Sequence, residues 1–324
     1  MHVITVDDSI SADRALRLIE RGSALLWEGD FHNGKQLLAA LGRRLPAVHG
    51  GSFQDQRRMQ ARRTQVLNSL LIATSDHTVS LRRAPDVRQA CLEAYGPPAG
   101  DRLVPLRELL GVIGAHQLRQ QGIEIPALGG RIHPHYGVFA PTRSEYVDLV
   151  ASCPLPPAAV AFDIGTGTGV LAALLAHRGI PQVIATDNSS RAVECARENV
   201  RRLGLDVEVI ETDLFPPGRA DLIVCNPPWI PARPITLLDH AVYDEDSRML
   251  RSFIAGVRDH LNPGGETWLI LSDLAEHFGL RSRSELLGWF ADAGLREAGR
   301  LDAVPGHRSA RKQEVSSLWR LRAG

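Results

Sequence analysis

Two short stretches hold the residues whose types and spacing can do chemistry. In "LIVCNPPWIP", residues 222–231, an apolar run stops at Asn226, Pro227, Pro228 and Trp229. Such a run reads as a buried strand, and two consecutive prolines, unable to donate to a ladder, end it abruptly. The strand end then offers a side-chain amide oxygen, a backbone carbonyl stiffened by the Pro-Pro unit, and an indole face. In "FDIGTGTGV", Asp163, Gly165, Thr166, Gly167 and Gly169 stand at a strand-to-helix junction. Glycines let the backbone turn tightly and approach a ligand, while the following helix offers free N–H groups.

A dinucleotide fingerprint wants G-x-G-x-x-G, but counting from Gly165 its third glycine falls on Val170. Asp163 would also sit badly beside a pyrophosphate, whereas it suits a ligand with an ammonium group. Two further acids close predicted strands, where open α/β sheets bind ligands. Asp187, followed by Asn188, closes "QVIATD" and can accept both ribose hydroxyls. Asp213 closes "VEVIETD" and can accept from an amino group, with Leu214 packing on a purine. An amino acid moiety, a ribose and an adenine together describe S-adenosylmethionine. Asp is also a common helix N-cap, and three acids at successive strand ends are harder to explain that way than one.

Methyl transfer is an in-line displacement, so the site must hold a nitrogen lone pair on the C–S axis. A planar nitrogen has a delocalised lone pair. Two acceptors aimed at its N–H groups orient it and stabilise positive charge as it attacks. The Asn226 side-chain oxygen and the Pro227 carbonyl are two such acceptors. Trp229 can stack on a planar substrate or attract the developing cation through its ring face.

With these motifs the chain resembles the class I methyltransferases that use S-adenosylmethionine, over roughly Gly137 to the C-terminus. The resemblance implies that Asp163, Gly165 and Gly167 hold the methionine part, Asp187 the ribose, and Asp213 and Leu214 the adenine. N-P-P-aromatic marks the members that methylate planar nitrogens: protein glutamine (the HemK/PrmC-like enzymes), adenine N6 and guanine N2. Trp229 stands where those families more often have Tyr or Phe. "GVFAPTRSEYVDLV" matches the HemK-like approach to the core in outline at Val138, Phe139, Pro141 and Glu145, while Pro141-Thr142-Arg143 replaces the usual Pro-Arg-Pro. Protein glutamine is therefore slightly favoured as acceptor, ahead of an RNA or DNA base or a small molecule.

Neighbouring features give weaker signals. His133 and His135 in "RIHPHYG" lack the further ligands that a metal requires, so local hydrogen bonding at the cofactor entrance is expected, with Tyr136 near it. "LLDHAVYDEDS" is a solvated loop or a substrate lid, and "HRSARKQ" is a basic loop. Arg57, Arg58, Arg62 and Arg63 form either a solvated helix face or a phosphate contact.

The elements that must position these residues follow from the pattern. To about Gln121 the chain reads as helices, including "SADRALRLIERGSALLWEG" and "RTQVLNSLLIAT". From about Ala159 strands and helices alternate, which implies a doubly wound, mostly parallel sheet of seven strands, Rossmann-like. Its last pair, "LREAGRLDA" and "EVSSLWRLRA", forms an antiparallel edge hairpin. The predicted organisation is a mainly helical N-terminal domain (1–125) for substrate recognition or as a lid, a linker and entrance (126–158), and the cofactor-binding domain (159–324).

Composition sets the outer bounds. With 324 residues, 44% hydrophobic, and equal numbers of basic and acidic side chains, the chain suits two globular domains and has no global case for nucleic acid. No run reaches the ~20 apolar residues of a membrane span, and the first residues do not read as a signal peptide. Four scattered cysteines fit a reduced, cytoplasmic protein without a disulfide framework. The implied partners are the cofactor and an acceptor substrate (protein, RNA or small molecule), with no membrane and no metal. Two rival classes are a non-catalytic module of the same fold, which should have lost its glycines or its asparagine, and a nicotinamide-dependent oxidoreductase.

Overall fold

The computed structural model describes residues 2–46, 52–234, 241–304, 306 and 314–324. The chain divides into two compact units, Met1–Gln117 and Leu118–Gly324. In the first are β1 (His2–Val6), α1 (Ala12–Glu20), β2 (Ser23–Trp27), α2 (Phe31–Arg44), α3 (Phe53–Asn68), β3 (Leu70–Ser75), α4 (Arg88–Tyr95), β4 (Asp101–Pro105) and the start of α5 (Leu106–Gln121).

The helices expected in this mainly helical region are present, and a four-stranded sheet ordered β1-β2-β3-β4 accompanies them. "SADRALRLIERGSALLWEG" is a helix and then a strand. Ser11 accepts the Arg14 N–H to start α1, and Gly22, at φ 89°, turns the chain into β2. "RTQVLNSLLIAT" likewise ends α3 and begins β3. The first three strands run parallel and β4 antiparallel, around a core that includes Leu25, Leu41, Leu70, Ile72 and Leu106. On α3, Arg58 pairs with Asp55 and Arg62 with Glu20, both at exposed positions.

The second unit contributes β5 (Ile123–Ile125), β6 (Gly130–Ile132), α6 (Glu145–Ser152), β7 (Val160–Ile164), α7 (Val170–His177), β8 (Gln182–Asp187), α8 (Ser190–Arg202), β9 (Glu208–Glu211), β10 (Ala220–Cys225), α9 (Arg248–Gly256), β11 (Leu261–Ser272), α10 (Leu274–His277), α11 (Arg283–Asp292), β12 (Leu295–Ala303) and β13 (Ser316–Ala323). Its seven-stranded sheet has the order β12-β13-β11-β10-β7-β8-β9. Strands β7 to β11 pair in parallel, and β13 runs antiparallel between β11 and β12. This is the doubly wound sheet with an edge hairpin that the alternation predicts. Strand order reverses between β7 and β10, and their carboxyl ends carry the glycine stretch and Asn226.

Both faces of the sheet are buried. One carries α6, α7 and α8 over residues such as Leu171, Val193 and Trp268. The other carries α9 and α11 over Phe162, Ile223, Phe253 and Trp319. Within the first of these cores Glu266 of β11 is fully buried. It accepts from Trp268 Nε1 and from the guanidinium groups of Arg320 and Arg322 on β13. Among the described residues no helix is long and apolar enough to cross a membrane.

Candidate active site

A cavity of about 1480 Å³ opens at the carboxyl ends of β7, β8 and β10. Asp163, Gly165, Thr166, Gly167, Asp187, Asn188, Asp213, Leu214, Asn226, Pro227, Pro228, Trp229 and Phe139 all line it. The fold thus gathers most of the predicted site residues from five separate stretches. Gly169, Tyr136, Pro141 and Glu145 stand outside the lining.

The glycine stretch is built from its backbone outward. Gly167, at φ 55°, takes a left-handed conformation that side chains disfavour. Gly169 has a packing role instead: a Cβ there would lie 3.1 Å from the backbone of Ala196, so its hydrogen atom lets α7 approach α8. Asp163 is 1% exposed, and its Oδ2 accepts from Thr166 Oγ1 at 2.6 Å and from the Ala172 N–H at 3.0 Å. Both bonds fall on one oxygen. Burial pushes this carboxyl up to about 6, although the Thr166 and Ala172 bonds lower it. A neighbouring cation would relieve that penalty, which is the electrostatic fit for an ammonium group.

Asp187 divides its bonds differently. Oδ2 accepts the Gly167 N–H and Oδ1 the Ser189 N–H, each at 3.0 Å, so each oxygen keeps lone pairs for a diol. Leu214 is held at φ 60°, costly for an L-residue with a branched side chain. The Thr186 hydroxyl donates to its carbonyl at 2.6 Å and keeps it there. Asp163, Asp187 and Leu214 thus face one continuous cavity from three successive strand ends.

At the end of β10, Trp229 Nε1 donates to Asn226 Oδ1 at 2.9 Å. An indole N–H is only a donor, so the atom it meets is the carboxamide oxygen and not the nitrogen. Cys225, directly before Asn226, is fully buried with its thiol pushed well above the ordinary value by burial, and is therefore no nucleophile.

His133 and His135 make local bonds, as the H-x-H spacing without further ligands suggests. The His133 N–H donates to Asn199 Oδ1 at 2.8 Å, and the His135 ring meets Glu198 at 2.6 Å. Asn199 Nδ2 in turn donates to the Thr168 carbonyl at 3.0 Å, which ties this segment to the glycine stretch. Arg191 donates to the Tyr136 carbonyl. Among the described residues no group of three or more His, Cys, Asp or Glu side chains could hold a metal.

Three groups at the site escape the motifs. Arg143 lines the cavity with its guanidinium 5.6 Å from the Trp229 ring centroid. Asp244, in "LLDHAVYDEDS", is buried and accepts the N–H groups of Met249 and Leu250 at the start of α9. An Asp just ahead of an apolar helical run is the signal that could have found it. Arg248, Met249 and Arg251 of α9 complete the far wall. Residues 237–240 of that acidic stretch and the basic loop 307–313 lie outside the described residues.

Residues 130–280 match the family model of the methyltransferase small domain. The chain is 33% identical over 156 residues to the release factor glutamine methyltransferase of Geobacter sulfurreducens, covering 43% of this chain and 52% of that protein. It is 40% identical over 120 residues to the protein of the same name from Mycolicibacterium smegmatis, covering 34% and 41%. It is also 36% identical over 110 residues to the ribosomal RNA small subunit methyltransferase C of Alcanivorax borkumensis, covering 33% and 30%. The chain thus spans about half or less of the length of these relatives. The parallel part of the sheet, the glycine stretch and the strand-end acids thus lie within the residues that match the methyltransferase small domain, a match to methyltransferases that the curated relatives share.

Proposed function

We propose that this protein transfers a methyl group from S-adenosylmethionine to a planar nitrogen, with the side-chain amide of a protein glutamine as acceptor. The observation that carries this reading is the Asn226-Pro227-Pro228-Trp229 strand end at the switch point, lining the same cavity as the glycine stretch. When bound, S-adenosylmethionine supplies an electrophilic methyl on a sulfonium. Asp163 and the loop around Gly165 and Gly167 would hold its amino acid end, Asp187 the ribose, and Asp213 with Leu214 the adenine.

The chain's own groups do the rest. Asn226 Oδ1 and the Pro227 carbonyl accept the two N–H groups of the acceptor amide and orient its lone pair. Positive charge that develops on nitrogen is stabilised by those two oxygens; S-adenosylhomocysteine is the leaving group, and one N–H proton passes to solvent after the methyl has arrived. The Trp229 ring covers one face of the planar group and keeps water away. A cavity of about 1480 Å³ exceeds the ~1,000 Å³ upper range of ordinary ligand pockets, which leaves room for an acceptor beside the cofactor. Two relatives named as release factor glutamine methyltransferases support the glutamine choice, and a release factor is the first protein to test.

A base in ribosomal RNA is the second reading, supported by the relative named for ribosomal RNA. Incubation with tritiated S-adenosylmethionine and a cell extract, fractionated into protein, RNA and small molecules, separates the two. Label in protein, recovered as methylglutamine, is the expected result. Label in RNA alone overturns the glutamine reading.

A further inference from the structure

Asn226 is not aimed by its own backbone alone. A carboxamide swings about a broad χ2 and can present oxygen or nitrogen to a substrate. In this protein its oxygen is pinned by Trp229 Nε1 at 2.9 Å. The Trp229 ring lies under the guanidinium of Arg143, 5.6 Å from the centroid. Arg143 is itself held from two sides: its Nε donates to Glu145 Oε1 and its Nη2 to Glu314 Oε1, both at 2.7 Å. Glu145 is 9% exposed and Glu314 1%. One opens α6 and the other, just ahead of β13, also accepts from Ser272 Oγ at the end of β11. A chain of contacts therefore runs from two buried carboxylates through one cation and one indole to the acceptor oxygen.

We propose that Arg143 and the indole N–H of Trp229 are positioning groups that lock the Asn226 oxygen toward the transfer site, leaving one of its lone pairs for the substrate N–H. This assigns a role to Trp at a position where Tyr or Phe, lacking a ring N–H, could not make the same bond. Arg143 acts through Trp229 and not on the substrate. The inference rests on the nitrogen-methylation reading above for its kinetic consequence, but the lock itself is testable without any acceptor.

The first test is spectroscopic. The indole 1H–15N resonance of Trp229, identified by its loss in Trp229→Phe, is expected to move in Asn226→Ala and again in Arg143→Met. A resonance unchanged in both variants overturns the proposal whatever the enzyme methylates. The second test is a double-mutant cycle on kcat, using tritiated S-adenosylmethionine and a purified peptide-chain release factor. If the extract fractionation finds label only in RNA, ribosomal RNA replaces the release factor.

Trp229→Phe and Arg143→Met should each lower kcat about five- to tenfold, roughly the worth of one oriented hydrogen bond. KM and the affinity for S-adenosylhomocysteine should hold, and the double variant should be no slower than Trp229→Phe alone. Losses that multiply, or a raised KM with kcat intact, would mean that Arg143 touches the substrate itself. Arg143→Met strands two buried carboxylates, so the triple variant Arg143→Met, Glu145→Gln, Glu314→Gln serves if the single one fails to fold. A triple variant with wild-type kcat also overturns the proposal. No acceptor turnover together with a shifted indole resonance would sink the function and leave the lock standing.

Discussion

Asp187 reaches back 20 residues to take the Gly167 N–H on its Oδ2 at 3.0 Å. One carboxylate therefore shapes the glycine turn and, on the proposed reading, also receives the ribose. Each oxygen has a backbone N–H to satisfy it before any ligand arrives, so the side chain is already aimed.

Replacing Asp187 with Ala should therefore weaken S-adenosylmethionine binding by more than a lost contact pair would. An increase in Kd of about 50-fold, read by calorimetry, is the expected result. Asp187→Asn, which keeps one acceptor oxygen, should fall between Ala and wild type. Equal losses in Asn and Ala would show that the carboxylate does not share these two tasks.

The pH dependence of the ligand-free protein should follow Asp163. Its folded value, about 6, lies above the ordinary 3.8. The stability tied to this group is fully present below about pH 4 and is lost as pH rises through about 6, in all roughly 3 kcal/mol. Cofactor affinity should run the other way, tightening from about pH 5 to pH 7 as the carboxylate forms. Calorimetry at the two pH values checks this, and Asp163→Asn should flatten both trends. A variant that keeps the wild-type slopes would refute the assignment.

Asn226→Ala should leave cofactor binding within about threefold of wild type and lower kcat by at least about 100-fold, the scale seen when one aimed group is removed from a developing charge. Single-turnover kinetics with labelled cofactor give the number. Near-normal turnover would remove Asn226 from the chemistry.

Asn199→Ala tests the tie between the His133 segment and the glycine stretch. Asn199 is fully buried and accepts from the His133 N–H while donating to the Thr168 carbonyl. Its loss should destabilise the fold by about 2 kcal/mol in urea unfolding, because two buried backbone groups lose partners. Faster hydrogen exchange at the His133 amide should accompany the change.

The parts of this molecule that could be read from residues alone are those whose chemistry is local. The glycine stretch, the acids at three strand ends and the Asn-Pro-Pro-Trp stop each announce themselves within ten residues, and the alternation around them implies the sheet. The short strands of the first unit were hidden because "ALLW" and "LLIA" are apolar on every residue and continue the pattern of the helices before them. Arg143 was hidden for another reason. Its partner Glu314 lies 171 residues away, and nothing near either residue records that they meet. Leu214 escaped as a strained residue because its left-handed backbone is enforced by Thr186, from a different strand.

The position of β13 has a consequence for how the protein is made. Strands β7 to β10 can assemble as they emerge from the ribosome, but β11 keeps an open edge until residues 316–323 arrive to fill it. During that interval the edge carries "TWLILS", a segment of high strand propensity and no charge. Glu266 stands immediately before it and waits for Arg320 and Arg322. A charge at that place acts as a gatekeeper, making premature pairing with another nascent chain unfavourable until the right strand brings its cations. The same carboxylate that is paired with two arginines in the finished sheet thus guards the half-built one.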